Sequence, residues 1–277
     1  MMEAGAVGRV GSLHRFPVKS MAGEDLTTAA IGGTGLRGDR VYALIDRETG
    51  HVISAKRPRR WPGLLDYHAR LGEHPDGAPD LPPVVITCPD GTSMSRVPGP
   101  ELDALLSARL GRSVSLTSTP PEGASFEYHW PDQPNLLYQG RLYRDELTEH
   151  VMPPGTFFDS GILHLVTSAT LMELRSRVPG SRFEPRRFRP NIVIETAASG
   201  FVENDWVGRV VRIGDAVRIR IVKPCIRCVM VNLDQAGLGP DPAVLAAAFE
   251  HNGGNVGVKG DVLSVGRVRV GDPVAID

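Results

Sequence analysis

Apolar positions along this chain fall into short, β-branched runs broken by frequent glycine and proline, a pattern that predicts a mainly β fold with many turns. Residues 41–46 (VYALID) and 51–55 (HVISA) flank the turn residues Arg47 to Gly50, which predicts a hairpin with Gly50 supplying a positive-φ position. Further strands are predicted over 190–195 (PNIVIE), 217–222 (VRIRIV), 229–233 (VMVNL) and 268–276. Helical spacing occurs in three places, 101–110, 168–178 and 242–251. The last has clear end signals, with Asp241 at the N-cap, Pro242 at the first helical position, and Gly253 and Gly254 beyond its end. Stretches 72–83 and 118–135 are rich in Pro, Gly and Asp and read as loops or linkers, which places a domain division near residue 125. The fold class is therefore mainly β with a few helices, in two parts, 1–125 and 126–277.

A length of 277 residues suits two modest domains, and a hydrophobic share of 41% with 23% charged residues is that of an ordinary folded chain. Lys plus Arg (31) nearly balance Asp plus Glu (32), so no net field draws in a nucleic acid or an anionic membrane. The expected partner is a small molecule. The N-terminus lacks the apolar run of a signal peptide, and no run of about 18 apolar residues could span a bilayer, so the cytoplasm is the default address. Three cysteines, Cys88, Cys225 and Cys228, are too few for a disulfide framework and point to local chemistry.

The sharpest local feature is Lys223-Pro224-Cys225-Ile226-Arg227-Cys228, which sets two thiols and a guanidinium between two predicted strands. A thiolate is a soft, strong ligand, and a nearby guanidinium favours the ionised form. Three other readings stand beside a metal ligand. The cysteines could be inert core residues, part of a zinc site that lacks a second cysteine or histidine pair, or a dithiol redox pair outside its usual helix-opening context. Phe188-Arg189-Pro190-Asn191, preceded by Arg182, Arg186 and Arg187, offers guanidinium forks for phosphate and an amide for a heterocycle edge, against the alternative of a solvated basic turn. Pro17-Val18-Lys19-Ser20 and Gly38-Asp39-Arg40 are two more cation-bearing loops suited to a phosphate. Lys56-Arg57-Pro58-Arg59-Arg60 has the composition of a nucleic-acid patch, but at a net charge of −1 it reads as a solvated loop.

Taken together these segments resemble the MOSC superfamily, specifically the group containing the mitochondrial amidoxime-reducing component and its bacterial relatives. HRFPVKSMAGEDL, GLRGDRVYALID and SAKRPR resemble that family's N-terminal β-barrel portion, while FFDSGILHLVTSATL, RFRPNIVIE, KPCIRCVMVNLD and VRVGDPVAI resemble the MOSC domain proper. The resemblance implies a β-barrel MOSC domain with a smaller N-terminal β-rich domain, and a molybdenum cofactor (molybdenum-molybdopterin). Cys228 matches the metal-coordinating thiolate, and Cys225 would be a neighbour rather than a ligand. Lys19, Ser20 and Arg40 match contacts to the cofactor's phosphate and pterin end, and Asp159, Ser160, Arg189 and Asn191 match the pterin pocket. Gly161 stands where the amidoxime reductases have a second hydroxyl.

The implied activity is a molybdenum-dependent oxidoreductase that reduces N-hydroxylated or other N- or S-oxygenated small molecules. The chain stops just past VGDPV with no appended iron-sulfur domain, so its electrons are expected from a separate donor protein. Two alternatives come from other classes: a carrier of cofactor or sulfur using a persulfide on Cys228, and a non-catalytic module binding a phosphorylated ligand.

Overall fold

The computed structural model describes residues 5–72, 82–131, 145–235 and 237–277, together with the backbone of 137–138 and 141–142. Most of the stretch 72–83 and the end of 118–135, both read as loops from sequence, lie outside the described residues.

Seven strands close into a barrel: β1 (Ala6–Arg15), β2 (Leu163–Thr167), β3 (Ile192–Glu195), β4 (Val210–Ile213), β5 (Val217–Ile226), β6 (Asn255–Ser264) and β7 (Pro273–Ile276). Their order is β3-β2-β6-β5-β4-β7-β1, and β1 returns to pair with β3, which removes the sheet edges. Only β2 and β3 are parallel; the crossover between them carries the helices α2 (Ser168–Arg177) and α3 (Pro185–Phe188). Alternation fills the interior: Val217, Ile219 and Ile221 of β5 are fully buried, while the intervening Arg218, Arg220 and Val222 are not. These side chains meet Val10, Leu13, Leu165, Ile192, Val258 and Val274 in one core cluster. Strand β1 comes from the N-terminal half, so barrel closure draws on both sides of residue 125.

Two further clusters sit outside the barrel. One gathers the N-terminal region around Tyr42, Leu44, Trp61 and Ile86 under α1 (Pro100–Leu110). The other packs α2 and α4 (Ala243–Asn252) against Phe126, Tyr128 and Trp130, which lie on the strand Ser125–Trp130. That strand pairs antiparallel with Glu146–Val151 and occupies a stretch expected to be a loop; its alternating burial follows the spacing of its aromatic residues. Among the described residues no helix is long and apolar enough to cross a membrane.

The three helices read from sequence are present within a residue or two. α4 starts one residue later than expected, with Pro242 at the N-cap in place of Asp241, whose carboxylate still accepts from the Ala243 amide at 3.1 Å, and Gly253 takes the left-handed position at the C-terminal end. The hairpin at 41–55 is narrower than predicted. Residues 43–46 form a strand that pairs with Val114–Thr117, whereas the second arm makes one bridge, Ile45 to Val52, after Gly50 at φ 77°. The run 268–276 is two strands, Gly266–Arg269 and β7, split by a turn at Gly271.

The prediction for 229–233 needs correction, because Val229–Asn232 is a 3₁₀ turn. A strand would send Met230 to the face opposite Val229 and Val231. The turn instead buries all three, Met230 in the N-terminal cluster and the two valines in the α2–α4 cluster. Arg187 stabilises the turn from below, donating to the carbonyls of Val231 at 3.2 Å and Leu233 at 3.3 Å. That use of Arg187 also removes it from the ligand-binding reading. Arg182 and Arg186 pair with Glu184 on the surface, so this basic cluster is structural.

Candidate functional site

One cavity, walled by loops from both halves of the chain, is lined by Lys19, Ser20, Arg40, Asp159, Ser160, Arg189, Asn191 and Cys228, the eight residues singled out from sequence. The loops that deliver them are held by backbone bonds. Lys19 N donates to Tyr42 O at 2.9 Å, Arg40 N to Phe16 O at 2.8 Å, and Asp39 N to Leu36 O at 3.0 Å across a turn whose Gly38 sits at φ 83°. Ser20 Oγ accepts from Ala55 N at 3.1 Å and ties in the segment that carries Lys56.

Among the described residues four non-glycine residues have positive φ, and three of them, Ser20 (66°), Arg40 (50°) and Arg189 (53°), line this cavity. A left-handed backbone at such residues is uncommon and persists where the surroundings enforce it, as at ligand clamps. Arg189 follows α3 in this conformation, donates to Met21 O at 2.5 Å, and lies with its guanidinium 4.2 Å from the Phe16 ring centre. Burial, reinforced by Arg40, makes Arg189 a weaker base than usual.

Asp159 is the electrostatic centre. Its carboxylate accepts from Lys19 and, at 2.7 Å, from Lys56. Burial alone would raise its pKa, but the two ammonium groups hold it well below the usual carboxylate range. Burial pulls Lys19 down to about 8, with Lys56 and Arg40 adding to the effect against the attraction of Asp159. Burial also opposes the charge on Lys56, yet Asp159 and Cys228 outweigh it and raise its pKa. The basic run 56–60 is therefore not a solvated loop. Lys56 is a buried cavity residue, Arg57 pairs with Glu127, and Arg60 pairs with Asp46 at 2.5 Å.

Asn191 lines the cavity but mainly braces the barrel: Oδ1 accepts from His164 N at 3.1 Å and Nδ2 donates to His14 O at 3.4 Å. The two cysteines differ. Cys228, at the end of β5, is half-buried on the cavity wall and touches both outer core clusters. Cys225 is buried, and Arg227 donates to its sulfur at 2.8 Å. Burial would raise the Cys225 thiol, but Arg227, His164 and Lys259 hold it well below the usual thiol range. Among the described residues no group of three or more His, Cys, Asp and Glu side chains could cage a bare metal ion, which argues against the zinc reading. A metal at Cys228 would have to arrive on a cofactor that supplies its own further ligands, and the cationic wall suits a phosphorylated cofactor of that kind.

Residues 154–275 match the MOSC domain and residues 7–97 match the MOSC N-terminal beta barrel domain. The chain belongs to the MOSC superfamily. MOSC domains are associated with sulfurase-like and reductase-like proteins of the molybdenum cofactor. Among solved structures, the YuaD protein from Bacillus subtilis aligns at 10% identity over 98% of this MOSC chain and 95% of its own, with a TM-score of 0.46. YiiM from Geobacillus stearothermophilus aligns at 20% identity over 42% of this chain and 54% of its own, with a TM-score of 0.33. YiiM from Escherichia coli gives 18%, 45%, 57% and 0.32 for the same quantities. No curated protein matches the chain.

Within this MOSC chain sequence reasoning missed Lys56, Lys259 and an aromatic wall of Phe126, Tyr128, Trp130 and His150. The wall was legible in the alternation of SFEYHW. Lys56 lay inside the quoted segment SAKRPR but was read only as part of a basic run, and Lys259 carried no signal beyond its charge.

Proposed function

We propose that this protein is a molybdenum-cofactor-binding oxidoreductase that reduces N-hydroxylated or other N- or S-oxygenated small molecules, with electrons from a separate donor protein. The observation that carries the reading is the placement of Cys228 on the wall of a cavity whose other walls hold Lys19, Ser20, Arg40 and Arg189. Cys228 would be the protein's ligand to molybdenum. Lys19, Ser20 and Arg40 would hold the phosphate end, and Asp159, Ser160, Arg189 and Asn191 would line the pterin. When bound, the cofactor supplies two-electron chemistry on an oxygen-bearing substrate, and the protein's part is binding, orientation and electrostatics. Asp159 fixes the ammonium groups of Lys19 and Lys56 in place before any ligand arrives, so little reorganisation accompanies binding. The aromatic wall backs these cations: the Lys56 ammonium lies 4.5 Å from the Phe126 ring centre and 5.1 Å from that of Tyr128.

Protein made in a cofactor-competent host is expected to contain about one molybdenum per chain, in keeping with a single thiolate ligand. Cys228→Ser is expected to lose that metal and the reduction of amidoximes together. Full metal content and activity in the variant would overturn the proposal.

A second reading, a sulfur carrier using a persulfide on Cys228, is favoured by a second thiol in the same wall, Cys225, which Arg227 holds well below the usual thiol range. It predicts one extra sulfur atom on Cys228 in the intact mass of metal-free protein.

A further inference from the structure

Three ammonium groups converge on two consecutive residues at one side of the cavity. Lys19 and Lys56 share the Asp159 carboxylate, and Lys259 of β6 donates to Ser160 Oγ at 2.6 Å. Among the described residues Lys259 pairs with no carboxylate, and the charge that most favours its ammonium is that of the Cys225 sulfur. An ammonium has three hydrogens to donate and here gives one to a neutral hydroxyl. One carboxylate and the Cys225 sulfur thus face three ammonium groups on the cavity wall. The charges that act on Lys259 are those of Cys225, Asp159, Arg227 and Lys56; Asp159 and Arg227 act on Arg189 as well, together with Arg40 and Asp39.

Two local features support a ligand beside Lys259. Because Ser160 Oγ accepts from Lys259, its own hydroxyl hydrogen is directed elsewhere and can meet an acceptor. Gly161 then makes room for the lysine: a Cβ at that position would lie 2.9 Å from Lys259 Cδ and 3.3 Å from its Cβ. A side chain at 161 would push the Lys259 side chain out of this orientation.

We propose that Lys259 is a ligand-binding residue of this cavity, its ammonium and the Ser160 hydroxyl together holding an oxyanion of the bound ligand. The oxyanion is either a phosphate oxygen of the cofactor or a carboxylate on the substrate, and in both cases the assignment rests on the function proposed above.

The test compares wild type, Lys259→Met and Lys259→Arg. Three quantities are read: protection of cofactor-free protein against heat by inorganic phosphate, molybdenum content after expression in a competent host, and KM for a carboxylated and a neutral N-hydroxylated substrate. If the cofactor is the source, Lys259→Met loses about tenfold in phosphate affinity and loses molybdenum, and arginine restores both. If the substrate is the source, molybdenum content and phosphate affinity stay put while KM rises about tenfold for the carboxylated substrate alone. No change in any of the three overturns the assignment. Gly161→Ala should reproduce the Lys259→Met result by displacing the ammonium, with no further loss in a Lys259→Ala background; additive losses would also overturn it. A wild-type protein without molybdenum would sink the proposed function, while the phosphate titration would still report on Lys259.

Discussion

Arg227 donates from Nη1 to Cys225 Sγ at 2.8 Å, so the guanidinium of the CxxC motif serves its first cysteine rather than its second. Its other terminal nitrogen donates to Phe188 O at 2.8 Å, joining β5 to the end of α3 just before Arg189. Arg227 is thus a strut between the two sequence motifs that meet at the cavity. Arg227→Met should raise the pKa of Cys225, because it removes the charge that most favours the thiolate while leaving the burial that opposes it. The pH dependence of thiolate ultraviolet absorbance, in a variant whose only cysteine is Cys225, measures this. An unchanged midpoint would show that the ion pair has no hold on the thiol.

Asp159→Asn should destabilise the protein by about 3 kcal/mol, the low end for breaking a buried pair, because the carboxylate remains partly open to the cavity. The loss arises from two ammonium groups left facing each other in a wall that solvates them poorly. Added Lys56→Met should recover part of it, since one uncompensated charge then disappears. Chemical denaturation of the single and double variants checks both signs.

How far the fold could be read in advance followed from how far each segment obeyed a single period. The runs 190–195 and 217–222 were legible because β3 and β5 alternate cleanly between the barrel interior and its outside. Strand β6 was not, since NVGVKGDVLS carries two glycines and a lysine. The structure gives the reason: a Cβ at Gly257 would stand 2.3 Å from Leu165 O, so close approach of β2 requires glycine where a strand pattern would show a side chain. The 229–233 run misled because apolar residues on every side suit a buried 3₁₀ turn as well as a strand. At the site, Lys259, which stands outside every quoted motif, was not found, and Lys56 was misread although it lies within SAKRPR. Lys56 looked like solvent-facing charge until Asp159, distant in sequence, supplied its partner.

Binding of phosphate to the cofactor-free protein should weaken as pH rises through about 8, where Lys19 loses its proton. Phosphate itself is mostly dianionic above roughly pH 7, so its own titration cannot cause the decline. Lys19 also leaves a mark on stability without ligand. Its folded pKa lies below its ordinary 10.5, so the unfolded chain binds more protons between about 8 and 10.5 and stability from this group increases over that window. Lys19→Met should remove both the fall in affinity and that increase. Titration calorimetry at several pH values and denaturation across the same range would detect them.

Glu203 provides a test of stability away from the cavity. It is fully buried and accepts from Thr167 Oγ1 at 2.6 Å and Thr170 Oγ1 at 2.7 Å, fastening the start of α2 to the turn Val202–Trp206. Burial raises its pKa above the ordinary 4.5, and the two threonine hydroxyls only partly offset this. A carboxyl with a raised folded pKa contributes stability that is complete below its unfolded value and is lost as pH rises through the folded one. Wild type should therefore weaken between mildly acidic and neutral pH through this group. Glu203→Gln, which cannot ionise, should flatten that dependence and match or exceed wild type near pH 8. Glu203→Leu should be less stable than Glu203→Gln by about 2 kcal/mol at every pH, because the hydroxyls and the Thr167 amide lose their acceptor in a dry interior. Denaturation of the three proteins near pH 5 and pH 8 separates the charge from the hydrogen bonds; a glutamine variant with the wild-type slope would place the titration on another group.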